Sequence, residues 1–180
     1  MRAKSLELIK EHVKNKNLIK HMLATEAVMR ALAVHFGGNP DTWGLAGLVH
    51  DVDVELTQNN TELHSSVAVD MLREKGYSEE VINAVKSHFD KSQCKSLMDK
   101  TIRCVDPLTG FLVACALMTP DKKMASVDVS FALRRFDEKR FAAGASRDGM
   151  KECEEIGLTL DEFMDMGIKA MRGISSELGL

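Results

Sequence analysis

Apolar positions recur at intervals of three and four along most of the chain, and the strict alternation expected of strands is nearly absent. That period predicts an all-α fold: a compact helical bundle with a helical C-terminal extension. The spacing predicts helices over about 3–15 and about 18–36, the second ended by the turn "GGNPD". A third is expected from about Asp41, as N-cap, to Val52. The polar stretch "ELTQNN" leads to a fourth over about 61–75, stopped by Gly76, and Ser78 caps a fifth, "EEVINAVKSHF". A sixth covers about 95–118 with Pro107 inside it, where the missing N–H is expected to kink or restart the helix. Beyond "TPDKK" come helices over about 127–135, 147–156 and 160–178. Thr159 and Glu162 form a capping box at the start of the last one. No repeat or linker-like tract intervenes. Residues 1–180 are therefore expected to form one domain, with its core over about 18–118 and its extension, about 121–180, packed as a lid or appendage.

Ionisable residues fall where this pattern wants apolar ones. His21, Ala24, Val28, Ala31 and His35 lie 3, 4, 3 and 4 apart, on one helix face expected to be buried. His64 shares a stripe with Val67, Ala68, Met71 and Leu72, and His88 completes the stripe Val81, Val85. His50 and Asp51 follow Leu45 and Leu48 in "LVHDVD", and Asp106 stands between "IRCV" and "LTGFLVACALM". Each histidine alone reads as a hydrogen-bonded core residue. Four on separate helices, with two aspartates in apolar runs, form a set suited to divalent metal. Buried imidazoles and carboxylates are tolerated when paired, hydrogen-bonded or coordinated. His35, in the last turn before Gly37, suits the helix dipole instead, and His12 reads as surface.

Composition narrows the picture further. The chain is 44% hydrophobic and 28% charged with a net charge of −3, so neither nucleic acid nor a membrane is an expected partner. No apolar run approaches the roughly 20 residues of a membrane span, and the N-terminus lacks a signal-peptide pattern. The expectation is a cytoplasmic protein. Cys94, Cys104, Cys115 and Cys153 are too scattered for a metal site and read as free, mostly buried thiols.

The ordered set His21, His50-Asp51, His64, His88 and Asp106 resembles the H…HD…H…H…D signature of the HD-domain superfamily of metal-dependent phosphohydrolases, closest to HDIG-type members. The likeness covers roughly residues 18–118. The segments "VDPLTGFLVACALMTP" and "FAAGASRD" also resemble a subgroup of predicted HD hydrolases. The resemblance implies that His21, His50, Asp51 and Asp106 hold a first divalent transition-metal ion (Fe, Mn, Ni, Co or Zn). His64 and His88 would complete a second site, with Asp51 bridging. Asp51 and His50 would be catalytic, and the reaction would be hydrolysis of a phosphoester or phosphoanhydride of a nucleotide or small phosphorylated metabolite by a metal-activated water. The same scaffold hosts mixed-valent di-iron oxygenases, and a nucleotide-sensing module without turnover is a third reading.

The chain departs from the HDIG pattern: Val52 and Asp53 replace Ile-Gly. No lysine follows shortly after the pair, unlike in HD hydrolases of dinucleoside polyphosphates. Asp53 and Glu55 either orient metal-bound waters or are solvated loop residues. A phosphate also needs cations, and candidates are Lys91, Arg103 and the cluster Arg134, Arg135, Lys139, Arg140 and Arg147. Arg147 is singled out because the small residues of "FAAGAS" permit close approach of backbone to ligand; most charges in "RRFDEKR" read as a solvated face.

Overall fold

The computed structural model describes residues 1–58, 60 and 63–180 and is all-α; among them there is no strand. Helices α1 (Arg2–His12), α2 (Lys16–Phe36), α3 (Pro40–Val49), α4 (Ser66–Glu74), α5 (Glu79–Phe89) and α6 (Leu97–Leu117) precede α7 (Val129–Phe136), α8 (Arg147–Lys151), α9 (Leu160–Arg172) and α10 (Ser175–Leu178). The starts follow local chemistry. Asn15, Ser78 and Asp128 accept first-turn N–H groups, and Ser96 with Asp99 and Thr159 with Glu162 make capping boxes. Gly37 ends α2 in the left-handed conformation (φ 70°), where a residue without Cβ is at ease.

Three expectations are corrected. Asn39, rather than Asp41, caps α3, accepting from Asp41 and Thr42 N–H, because Pro40 takes the first helical position and moves the start back. Pro107 does not restart the helix, which runs unbroken from Leu97 to Leu117. Packing of α6 against α2, α5 and α9 outweighs a loss that is about 3 kcal/mol for an interior proline. The fourth helix begins at Ser66, so His64 sits in the turn before it. Residues 61 and 62 of the expected helix lie outside the described residues.

The core is centred on α2, α3, α5 and α6. Met22, Val28, Leu48, Val85, Ile102 and Phe111 are among its fully or nearly fully buried side chains. Gly47 lets α3 press on α2: a Cβ there would stand 2.8 Å from the Thr25 carbonyl oxygen. That approach sets the end of α3, and with it His50, against His21. The C-terminal helices do not hang free. α9 packs on α2, and α8 packs on α6. His35 is exposed despite sharing a stripe with His21, since the end of α2 projects past the core. All four cysteines are free. Three are buried, and burial pushes their thiols up, that of Cys115 to about 12.

Candidate metal centre

Five parts of the chain bring six side chains to one point. His21 comes from α2, His50 and Asp51 from the end of α3, His64 from the turn before α4, His88 from α5 and Asp106 from α6. His21 Nε2 lies 3.1 Å from His50 Nε2 and 3.0 Å from Asp106 Oδ1. His64 Nε2 lies 3.1 Å from His88 Nε2. Asp51 joins the two pairs. Its Oδ2 is 3.6 Å from His21 Nε2 and 3.4 Å from His50 Nε2, while its Oδ1 is 3.4 Å from His64 Nε2 and 3.5 Å from His88 Nε2.

The outer ring nitrogens explain the orientation. His50 Nδ1–H donates to the Gly47 carbonyl at 2.8 Å, and His88 Nδ1–H donates to the Val85 carbonyl. Thr109 Oγ1 donates to the Asp106 carbonyl at 3.1 Å, which leaves it to accept from His21 Nδ1–H at 2.9 Å. Asp53 Oδ1 accepts from His64 Nδ1–H at 2.8 Å. With every Nδ1 serving as a donor, four Nε2 positions point inward. Such outer partners fix the tautomer of ligating histidines and raise their basicity.

Neutral Nε2 atoms 3.1 Å apart would repel, so the cluster demands positive charge. Burial opposes charge on His50, but Asp51 and Asp106 overcome it and lift the imidazole to about 9. His64, also partly desolvated, is lifted to about 9 by Asp51 and Asp53. Desolvation works against ionised Asp51, yet His50, His64 and His88 hold it well below its usual range. Burial likewise opposes Asp106, and His21 and His50 depress it. Protons thus stand where a dication would neutralise the same carboxylates. The donor set fits a metal: His21, His50 and Asp51 form one group that could hold an ion, and Asp51, His64 and His88 form another. In each group the ligand atoms lie within 4.8 Å of one another.

The cluster forms one wall of a cleft of about 760 Å³. The facing wall comes from the C-terminal extension: Ala142, Gly144, Ala145, Ser146 and Gly149. Of the candidate phosphate-binding residues, only Arg103 lines this cleft. Its Nη1 donates to the Ser87 and His88 carbonyls, and its Nε and Nη2 donate to Glu152. Lys91 lies outside the cleft, paired with Glu152 and Glu155.

Arg147 is turned away from the cleft. Its guanidinium donates to the carbonyls of Phe136, Ala142, Ala145, Arg135, Glu138 and Phe141 and lies over the rings of Phe111 and Phe136. No N–H is left for a substrate. Arg135 pairs with Glu138, and Arg134, Lys139 and Arg140 are exposed and do not line the cleft.

The alternatives for Asp53 and Glu55 are also resolved. Asp53 is 0% exposed, neither solvated nor facing the metal side: it holds His64 from behind, and its Oδ2 accepts the Ala68 N–H at 2.9 Å. Glu55 accepts the backbone N–H groups of Lys14 and Asn15, which depress its carboxyl, and so serves the α1–α2 connection. Residue types alone did not reveal Thr109 or Phe89. Thr109, three residues after Asp106, supports His21. The ring of Phe89 meets that of His64 at right angles, with centroids 5.4 Å apart, at the cleft edge.

Comparison with known proteins assigns the class. The family model of the HD domain matches residues 18–110, just over half the chain. The chain belongs to the HD domain family, whose members include metal-dependent phosphohydrolases. Among curated proteins it is similar to ribonuclease Y of Sulfurovum sp. (strain NBC37-1), 23% identical over 135 residues, covering 73% of this chain and 26% of that protein. Ribonuclease Y of Acholeplasma laidlawii (strain PG-8A) is 27% identical over 94 residues, 52% of this chain and 18% of the relative. The chain thus spans about a quarter or less of these relatives' length. No solved structure gives a significant match. Among the described residues, no helix is long and apolar enough to cross a membrane.

Proposed function

We propose that this chain is a metal-dependent phosphohydrolase that cleaves a phosphoester or phosphoanhydride in a nucleotide or small phosphorylated metabolite. The observation that carries this reading is the division of Asp51: one carboxylate oxygen faces His21 and His50, the other His64 and His88. His21, His50, Asp51 and Asp106 would hold one divalent transition-metal ion, and His64 and His88 would hold a second, with Asp51 shared. Bound there, such ions would lower the pKa of water and neutralise charge on a phosphoryl group.

The rest of the work falls to the protein. Gly47, Val85, Thr109 and Asp53 keep the four rings aimed inward. Arg103, at the cleft beside His88, is held by Glu152 and by the Ser87 and His88 carbonyls, which leaves one Nη2 N–H to meet a phosphate oxygen. The glycines and alanines of 142–149 leave room for the substrate's body opposite the ligands. The relatives' name, ribonuclease, denotes phosphodiester cleavage, which is chemistry of the same kind.

An anaerobic screen tests the reading. Chain reconstituted separately with manganese, iron and nickel is given nucleotides, dinucleotides and sugar phosphates, with Asp51→Ala as control. The expected result is metal-dependent phosphate or nucleotide release that is absent in the control. Metal-loaded chain that cleaves nothing across the panel contradicts the proposal.

A further inference from the structure

A second cleft, of about 590 Å³, adjoins the first, and the two share His64, Phe89 and Arg103. Ser65 lines it in an unusual state. It is the N-cap of α4, where a serine oxygen ordinarily accepts a first-turn N–H, yet it makes no such bond. Asp53 has taken that place by accepting the Ala68 N–H. The Ser65 hydroxyl is consequently left buried with no hydrogen-bond partner among the described residues, on a residue only 4% exposed. Its backbone, at φ 68° and ψ −32°, lies in a region that non-glycine residues seldom occupy. Strained backbone and unpaired buried polar groups cluster at functional sites, and of the three such atoms among the described residues, with Ser87 Oγ and Asp99 Oδ1, Ser65 Oγ alone belongs to a residue that lines one of these two clefts.

The surroundings indicate which ligand. Lys86 lines the same cleft and is in no ion pair among the described residues, whereas Lys91 and Arg103 are engaged by Glu152. Two carboxylates share the lining: Asp90 accepts from Ser92 N–H and Oγ–H and also lies in the field of Lys86, and Asp70 faces Arg73 at 3.6 Å. Phe89, 47% exposed, stands where the clefts meet and offers an aromatic surface between them.

We infer that the second cleft is a subsite for a second phosphate on the substrate whose first phosphate lies at the His/Asp cluster. The Ser65 hydroxyl and the Lys86 ammonium are its donors; the ribose joins the two phosphates, and the base that it carries stacks on Phe89. The substrate class this selects is a nucleoside phosphorylated at two positions, such as a nucleoside 3′,5′-bisphosphate. The inference rests on the phosphohydrolase reading.

Competition against p-nitrophenyl phosphate hydrolysis by the manganese-loaded full chain tests it. Adenosine 3′,5′-bisphosphate should inhibit about 10-fold more tightly than AMP, the effect of one charge-assisted contact. Lys86→Ala and Ser65→Gly should each bring that ratio down toward one while keeping the wild-type metal content. Glycine adopts positive φ freely, so Ser65→Gly removes the hydroxyl without adding strain. Equal inhibition by the two nucleotides in the wild type, or a ratio that survives both substitutions, overturns the subsite and leaves the phosphohydrolase reading standing. Absence of p-nitrophenyl phosphate turnover together with absence of turnover across the wider panel overturns both.

Discussion

On one side of the cleft four histidines and two aspartates face inward, each histidine held from behind by a carbonyl, a hydroxyl or a carboxylate. On the other side residues 142–149 present small side chains, and the arginine of that segment is turned into the protein, where backbone carbonyls use its whole guanidinium. The first wall keeps polar groups where burial would ordinarily penalise them. The second spends its cation on holding a loop together. Charge near a cleft is thus a poor guide to which wall does chemistry, whereas polar groups with inward-facing lone pairs are a good one.

The sharpest way to break this contrast is at Asp51. Asp51→Ala should lower turnover by more than the 10–100-fold that loss of an outer partner typically costs, while circular dichroism shows the helices intact. Asp53→Asn comes next. It can still accept the Ala68 N–H but no longer offers His64 a charged acceptor, so metal affinity should fall about 10–100-fold, seen in titration with manganese. Unchanged affinity would reduce Asp53 to a helix cap.

The pH response should distinguish metal-free from metal-loaded chain. His50 and His64 are raised from 6.5 to about 9 in the fold. Their contribution to stability is therefore complete below about pH 6.5 and is lost as pH rises through about 9. Metal binding displaces those protons, so the increase in melting temperature on adding manganese should grow over the same interval. A metal increment that does not vary with pH would show that the Nε2 atoms are not ligands.

On the opposite wall, Arg147→Ala should lower stability by about 1–3 kcal/mol by leaving carbonyls unpaired, measured by urea unfolding. Metal content should stay at the wild-type level. Loss of metal without loss of stability would reverse the roles assigned to the two walls. The smallest effect is expected at His12, which lies on α1 and does not line the cleft. His12→Ala should leave both metal content and turnover as they are.

The two walls were unequally legible in the sequence. His21, His50, His88 and Asp106 stand out because an ionisable residue on an apolar stripe needs a reason, and the helix period says which stripe is apolar. Their convergence was carried by the family resemblance, since spacing along one helix says nothing about which helices meet. Asp53 was within reach, being polar in the apolar run "LVHDVDV", but its partners lie 11 and 15 residues on, across a turn with no periodic signal. Thr109 was hidden because a threonine in an apolar helix ordinarily bonds its own backbone, as this one also does. Arg147 misled for a related reason: its partners are carbonyls, which every residue carries, and only the folded path of 135–145 gathers them. His35 shows the limit of periodicity, for the stripe is real but the core ends before it.

The most direct measurement is metal stoichiometry. Metal-free wild type and Asp51→Ala, equilibrated with manganese under anaerobic conditions and then desalted, are compared by elemental analysis. The wild type should retain metal and Asp51→Ala should retain none, because one carboxylate serves both groups of histidines. Equal retention by the two chains would contradict that shared role.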